Sequence, residues 1–291
     1  MTSAFATDIR VLTCPQCGAP VRAAPSGGQA TCAYCHANTV IRARDDKPLA
    51  HVGPPVPEAG RMQSLWAQAQ AYGNTVLPPE MAQLLSHGPL TPATFPQGLA
   101  LWQLYIQRAS AGDFQASEYA TLMTGSLSSY CVMHNDEVRQ RALFETALDV
   151  LPNPNHKQVM RCNLARAAIK AGDLAAGQVW MASCNPTPVD LEADSAYRAT
   201  YAAMATARGD FQNVLAALGQ VVNAVPLVLP IQVLCNVYRA NAIEKLGNVA
   251  VAAQQLMQTA TTLAGGANAV QGIIKASPFH LCPQSLPAAR L

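Results

Sequence analysis

At 291 residues, 50% hydrophobic and only 12% charged, the chain has the composition of a packed globular protein and not of a disordered one. Its formal net charge of +2 is local: the first 50 residues carry Arg10, Arg22, Arg42, Arg44 and Lys47 against Asp8, Asp45 and Asp46, and the remainder holds 14 charges of each sign. That balance excludes a broad basic face of the kind that drives phosphate-backbone binding, and the most apolar stretch, residues 224–235, is interrupted by Pro226 and Pro230 and falls well short of the roughly 20 residues that cross a bilayer.

The first element is a pair of Cys-x-x-Cys motifs, Cys14-Pro15-Gln16-Cys17 and Cys32-Ala33-Tyr34-Cys35, with 14 residues between them. Two residues between cysteines let one tight turn aim both thiolates at an ion about 2.3 Å away, and two such turns complete a tetrahedron. The loop is one residue shorter than the usual zinc pattern, which a Ser26-Gly27-Gly28 hairpin tip absorbs. Gly18 and His36 follow the two motifs, where the chain needs a left-handed residue. Residues 9–13 and 39–42 alternate as short strands and are expected to pair. Two disulfides would demand an oxidising compartment, and a redox Cys-x-x-Cys would open a helix, so a metal is the expected occupant, with iron as the alternative to zinc.

This stretch resembles the zinc ribbon family over about the first 45 residues, with Cys14, Cys17, Cys32 and Cys35 in the ligand positions. The resemblance implies one structural zinc ion. Four thiolates close the tetrahedron and leave no position for water or substrate. The other cysteines, Cys131, Cys162, Cys184, Cys235 and Cys282, stand alone among apolar neighbours and read as small buried hydrophobes. Residues 1–10 lack a basic start followed by an apolar run, and with these thiols the expected compartment is the cytoplasm.

Beyond the ribbon (1–48), a proline-dense linker (49–58) leads to an irregular helical region (59–117), with helices expected over 61–72, 79–86 and 97–111. A repeat then emerges from the turns. Asn135-Asp136, Gly172-Asp173, Gly209-Asp210 and Gly247-Asn248 lie 37, 37 and 38 residues apart, each offering a left-handed residue to end one helix and a side-chain cap to start the next. Gly112-Asp113 breaks the period and is expected to be irregular, and Pro152 and Pro226 are expected to stop the helices before them.

Paired helices at this period resemble the tetratricopeptide (TPR) family over about residues 118–264. Small residues (Ala165 with Gly177, Ala240 with Ala252, Ala202 with the larger Val214) and large ones (Phe144, Met181, Leu218, Leu256) occupy matching places, whereas Thr124, Arg161, Arg198 and Asn236 replace the family's early aromatic. The fold class is therefore mostly α: a small zinc ribbon, an all-helical TPR-like solenoid (118–276) and a tail (277–291) whose Pro278, Pro283 and Pro287 are expected to exclude a helix. The tail is either loose or docked.

The resemblance implies an inner face that includes Val159, Arg166, Lys170, Leu234, Val237, Asn241 and Lys245, suited to a partner protein's apolar or amphipathic helix or peptide. No nucleophile elbow, phosphate loop, metalloprotease helix or carboxylate pair is found, and Asp190, Glu192 and Asp194 sit at a helix start where acids complement the dipole. His51, His87 and His156 are expected at the surface, and Cys131 with His134 or His280 with Cys282 are not expected to hold a second metal. The expected function is a non-enzymatic adaptor, with neither a small-molecule substrate nor a nucleic acid as its ligand. The alternatives are a nucleic-acid-binding ribbon using Arg10, Arg22, Arg42, Arg44 and Tyr34, and a regulatory subunit that senses zinc or oxidants.

Overall fold

The computed structural model describes the chain except for residues 1–3, 45–51, 56–57, 73–75, 87 and 263–265, so His51, His87 and part of the linker lie outside the described residues. Four short strands come first: β1 (Arg10–Thr13), β2 (Pro20–Ala23), β3 (Gly28–Thr31) and β4 (Asn38–Ile41). They form two antiparallel hairpins, β1 with β2 and β3 with β4. The expected pairing of segments 9–13 and 39–42 is therefore corrected. Each segment pairs with the strand on the other side of its own Cys-x-x-Cys turn, because a tight turn forces its two flanks together.

Thirteen helices follow among the described residues. They are α1 (Ala59–Ala71), α2 (Pro79–Ser86), α3 (Phe95–Ser110), α4 (Phe114–Met133), α5 (Glu137–Val150), α6 (Pro154–Lys170), α7 (Leu174–Ala182), α8 (Leu191–Ala207), α9 (Phe211–Leu218), α10 (Leu229–Lys245), α11 (Val249–Thr262), α12 (Gly266–Ala276) and α13 (Ser285–Ala288). The protein is mostly α with a small β part at its start.

One turn recurs five times. Gly112, Asn135, Gly172, Gly209 and Gly247 all have φ between +54° and +98°. The next residue's N–H reaches back to the carbonyl of Arg108, Cys131, Ala168, Ala205 or Ile243, at 2.8–3.2 Å, closing the preceding helix. That same residue then caps the following helix: Asp113, Asp136, Asp173, Asp210 and Asn248 each accept a backbone N–H three residues on, at 2.9–3.3 Å. Gly112-Asp113 is thus built like the others, although its position in sequence breaks the period.

Two compact units divide the chain, 1–48 with 74–164, and 49–73 with 165–291. In the first, α3, α4 and α5 pack on one another around Trp102, Met123 and Leu127, and Trp102 donates its ring N–H to Thr124 Oγ1 at 2.8 Å. His156 is buried, not exposed as expected, because Ser117 Oγ lies 2.8 Å from its Nδ1.

In the second unit, α8 is almost wholly buried among α7, α9, α10 and α1. A Cβ on Gly177 would stand 2.7 Å from Ile169 Cγ1 and 3.3 Å from the Ala165 carbonyl, so the small residue there sets a close helix approach. Met181, Leu218 and Leu256 are buried here, and Phe144 is buried in the first unit. Helix α9 stops at Leu218, well before Pro226, because Gly219 turns left-handed at φ +74°. Buried Arg198 and Arg239 then take up the carbonyls this end frees, Ala217, Leu218 and Gly219, at 2.5–3.1 Å. The C-terminal segment docks within this unit and contains α13, despite the three prolines. Pro287 sits within the only turn of α13, where a missing N–H costs nothing.

Candidate metal centre

Each Cys-x-x-Cys folds into the same knuckle. In the first, Gly18 N–H donates to the Cys14 carbonyl at 2.9 Å and Cys14 N–H to the Ala19 carbonyl at 2.8 Å. In the second, His36 and Cys32 repeat both bonds, to Cys32 and Ala37, at 2.9 Å. The turns close because Gly18 and His36 adopt φ of +73° and +59°.

The knuckles bring four sulfurs within 4.8 Å of one another, with Cys14 to Cys35 and Cys17 to Cys32 both at 3.6 Å. A tetrahedral ion with bonds of about 2.3 Å separates its sulfurs by about 3.8 Å, so the cluster fits a four-thiolate metal site. Its own core is minimal: Cys14, Val21 and Cys32, with small alanines around them. With so little apolar burial of its own, the segment would gain stability from an ion cross-linking the four sulfurs.

The thiols are electrostatically unequal. Backbone N–H groups of Cys35 and Tyr34 aimed at Cys32 lower it to about 7, favouring a thiolate there. Ala19 N–H helps Cys17 in the same way, but desolvation and the sulfurs of Cys35, Cys32 and Cys14 outweigh it and push Cys17 up to about 12. A cation bound here would take the place of the thiol protons and favour the thiolate at all four sulfurs.

What the sequence did not reveal is how the centre is mounted. The outer edge of β1 is closed by α5, where Val11 N–H donates to Glu145 Oε2 at 3.3 Å and Thr13 N–H to Thr146 Oγ1 at 2.7 Å. Glu145 is buried and receives Arg141 at 2.6 Å and Arg44 at 2.7 Å, with Arg10 3.9 Å away. Arg10, itself buried, binds Asp149 and the Arg42 carbonyl, while Arg141 also donates to the carbonyls of Ala4 and Ile9. Desolvation raises Asp149 to about 6 against the pull of Arg10. The available signal was spacing: Arg141, Glu145 and Asp149 fall four apart on one helix of a charge-poor chain.

A matching arrangement occurs in the second unit. Asp194 points inward and holds Arg61 at 2.6 Å and Arg198 at 2.5 Å, whereas Asp190 caps α8. Sequence reasoning, which assigned all three helix-start acids to the dipole, missed Asp194.

The remaining candidates are dispersed. Val159 and Arg166 are half-buried and Lys170 exposed on α6; Leu234 is half-buried and Lys245 exposed on α10. Val237 and Asn241 are buried beneath the C-terminal segment, whose Cys282 donates its N–H to Asn241 Oδ1 at 3.0 Å, while Ser285 donates N–H and Oγ–H to Glu244 at 2.7 and 2.5 Å. Among the N-terminal residues expected as alternative nucleic-acid contacts, Arg22, Arg42 and Tyr34 are exposed, whereas Arg10 and Arg44 bind the α5 carboxylates. His134 stacks on Tyr130 at 4.0 Å, and among the described residues the four-cysteine cluster is the one group of three or more His, Cys, Asp or Glu side chains placed to share an ion. All five isolated cysteines are buried, and desolvation pushes Cys131, Cys235 and Cys282 up to about 12, which leaves them unreactive thiols. Among the described residues no helix is long and apolar enough to cross a membrane. Comparison with protein-family models, with curated proteins and with solved structures finds no match to this chain.

Proposed function

We propose that the chain is a non-enzymatic cytoplasmic adaptor, in which a ribbon held by one structural zinc ion is fixed to a helical region of TPR-like construction that binds another protein. The observation that carries the reading is the closed four-sulfur cluster, all four directions of which are taken by Cys14, Cys17, Cys32 and Cys35. Zinc suits it because a filled d shell imposes no geometry of its own and thiolates bind it strongly. A zinc ion enclosed in this way stabilises structure and offers no open coordination position to a substrate.

The helix pairs joined by the recurring turn support the TPR-like reading, since such pairs hide their apolar faces against neighbours and present the others to a ligand. Arg166, Lys170, Leu234 and Lys245 remain as contacts for an apolar or amphipathic peptide, because Val237 and Asn241 are taken by the chain's own C-terminal segment. A peptide reaching those two positions would displace that segment.

The reading is tested by capturing the tagged full chain with its bound proteins from its native cells, nuclease-treated, beside a Lys170→Gln/Lys245→Gln variant and one lacking residues 277–291. A partner that survives nuclease and weakens in the double variant is the expected result. Loss of every bound protein with nuclease transfers the function to nucleic acid.

A further inference from the structure

The residues after α12 carry chemistry that the metal centre does not use. This C-terminal segment, 277–291, packs on α10 and α11 within the second unit and covers the face of α10 that carries Val237, Asn241 and Glu244. Its hold is largely polar. Cys282 N–H donates to Asn241 Oδ1 at 3.0 Å, Gln284 N–H to Glu244 Oε1 at 3.2 Å, and Ser285 gives Glu244 Oε2 both its N–H and its hydroxyl, at 2.7 and 2.5 Å. Apolar anchors are few: Leu281, Cys282 and Ala289 are buried with Ser285, and the rest of the segment is half-buried or exposed.

Two features set this segment apart from a plain terminal cap. Glu244 is only 5% exposed, yet among the described residues every hydrogen bond that its carboxylate accepts comes from the segment. A carboxylate in that position is satisfied only while a chain with successive free N–H groups lies on it, so α10 is built to receive such a chain. The segment lacks Asp and Glu, which suits a strand of chain laid over an acid. It is also strained: His280 and Cys282 hold φ of +47° and +52° without being glycine, a conformation that persists only where contacts impose it. Polar anchoring, little apolar burial and backbone strain together mark an element at the low end of local stability.

We propose that the α10 face at Asn241 and Glu244 is a peptide site whose displaceable internal occupant is the C-terminal segment, which closes it until a partner segment of the same chemistry takes its place. The inference deepens the protein-binding reading given above and rests on it for the existence of a partner. The occupant defines what fits: an acid-free segment with an apolar residue in the place of Leu281 and, four residues on, a Ser or Thr whose N–H and hydroxyl both reach the carboxylate. Main-chain donors supply affinity, and the Leu281 and Ser285 positions supply selectivity.

The test keeps the folded full chain. A protease site is inserted between Ser277 and Pro278, the purified protein is cleaved, and a fluorescent peptide of residues 278–291 is titrated onto intact and nicked chains. Saturable binding to the diluted nicked chain, and none to the intact one, is expected. Leu281→Ala and Ser285→Ala peptides should each half-saturate at a roughly tenfold higher concentration, and a Gln284→Ala peptide, which keeps its backbone N–H, at the same concentration. In the uncleaved chain, Glu244→Gln should speed hydrogen exchange at Cys282, Gln284 and Ser285 roughly tenfold while α10 keeps its protection. A nicked segment that stays bound through dilution, or leaves only as α10 and α11 unfold, would make it a permanent cap and overturn the proposal. Equal binding of all the peptides would overturn recognition through Leu281 and Ser285. Release and rebinding of the segment, with no partner captured from cells, would uphold the displaceable occupant and overturn the adaptor reading, so the two fail separately.

Discussion

The two Cys-x-x-Cys knuckles have the same backbone and opposite surroundings. The first, around Cys14 and Cys17, is built into helical surface: β1 is closed by Glu145 and Thr146 of α5, and a Cβ added to Gly18 would stand 2.5 Å from Leu99 Cδ2 of α3. The second, around Cys32 and Cys35, faces outward, with Tyr34 75% and Val40 78% exposed. Identical local chemistry thus yields one knuckle braced by the surrounding helices and another that, beyond its own hairpin, would depend on the ion the four thiols can hold. The lesson is that a four-cysteine site need not be symmetric in stability even where its geometry is.

Breaking the shared part has the largest effect. Cys32→Ser, or a strong chelator, should remove on the order of 10 kcal/mol from the ribbon and expose the amides of β1 to β4 to hydrogen exchange, the second hairpin first and most completely. The α3–α5 helices should keep their protection. Next comes the mount. Glu145→Gln leaves Arg141 and Arg44 in a buried site without their carboxylate, and urea unfolding should show a loss of about 3–5 kcal/mol.

The sharpest comparison is at the paired left-handed positions. Gly18→Ala combines a disfavoured φ of +73° with the contact to Leu99 and should cost about 2 kcal/mol or more, whereas His36→Gly, at an exposed position with φ +59°, should change stability by less than about 1 kcal/mol. Equal effects at the two sites would erase the asymmetry. Smallest among the structural changes are the helix caps, where Asp136→Ala or Asp173→Ala should each lower the urea midpoint by about 1 kcal/mol's worth of stability.

Local features were legible in the sequence because their causes are local. Gly18 and His36, the four periodic Gly or Asn turns and their Asp or Asn caps each follow from which residues tolerate positive φ and which side chains accept a helix N–H. Spacing alone placed the four sulfurs. What the sequence hid depends on residues far apart: Arg10 meeting Asp149, Val11 meeting Glu145, and Arg42 sharing a cavity with Arg161. The strand pairing failed because it overlooked the turn each knuckle makes, and His156 was misplaced because a turn context says little about burial beneath Ser117.

The most direct test is native mass spectrometry of the full chain purified without added metal, before and after chelation. The account predicts one zinc ion per chain, lost only with chelator and with the four thiols of Cys14, Cys17, Cys32 and Cys35 then open to alkylation. A metal-free chain whose mass is lowered by the hydrogens of two disulfides, or one carrying iron, would contradict it.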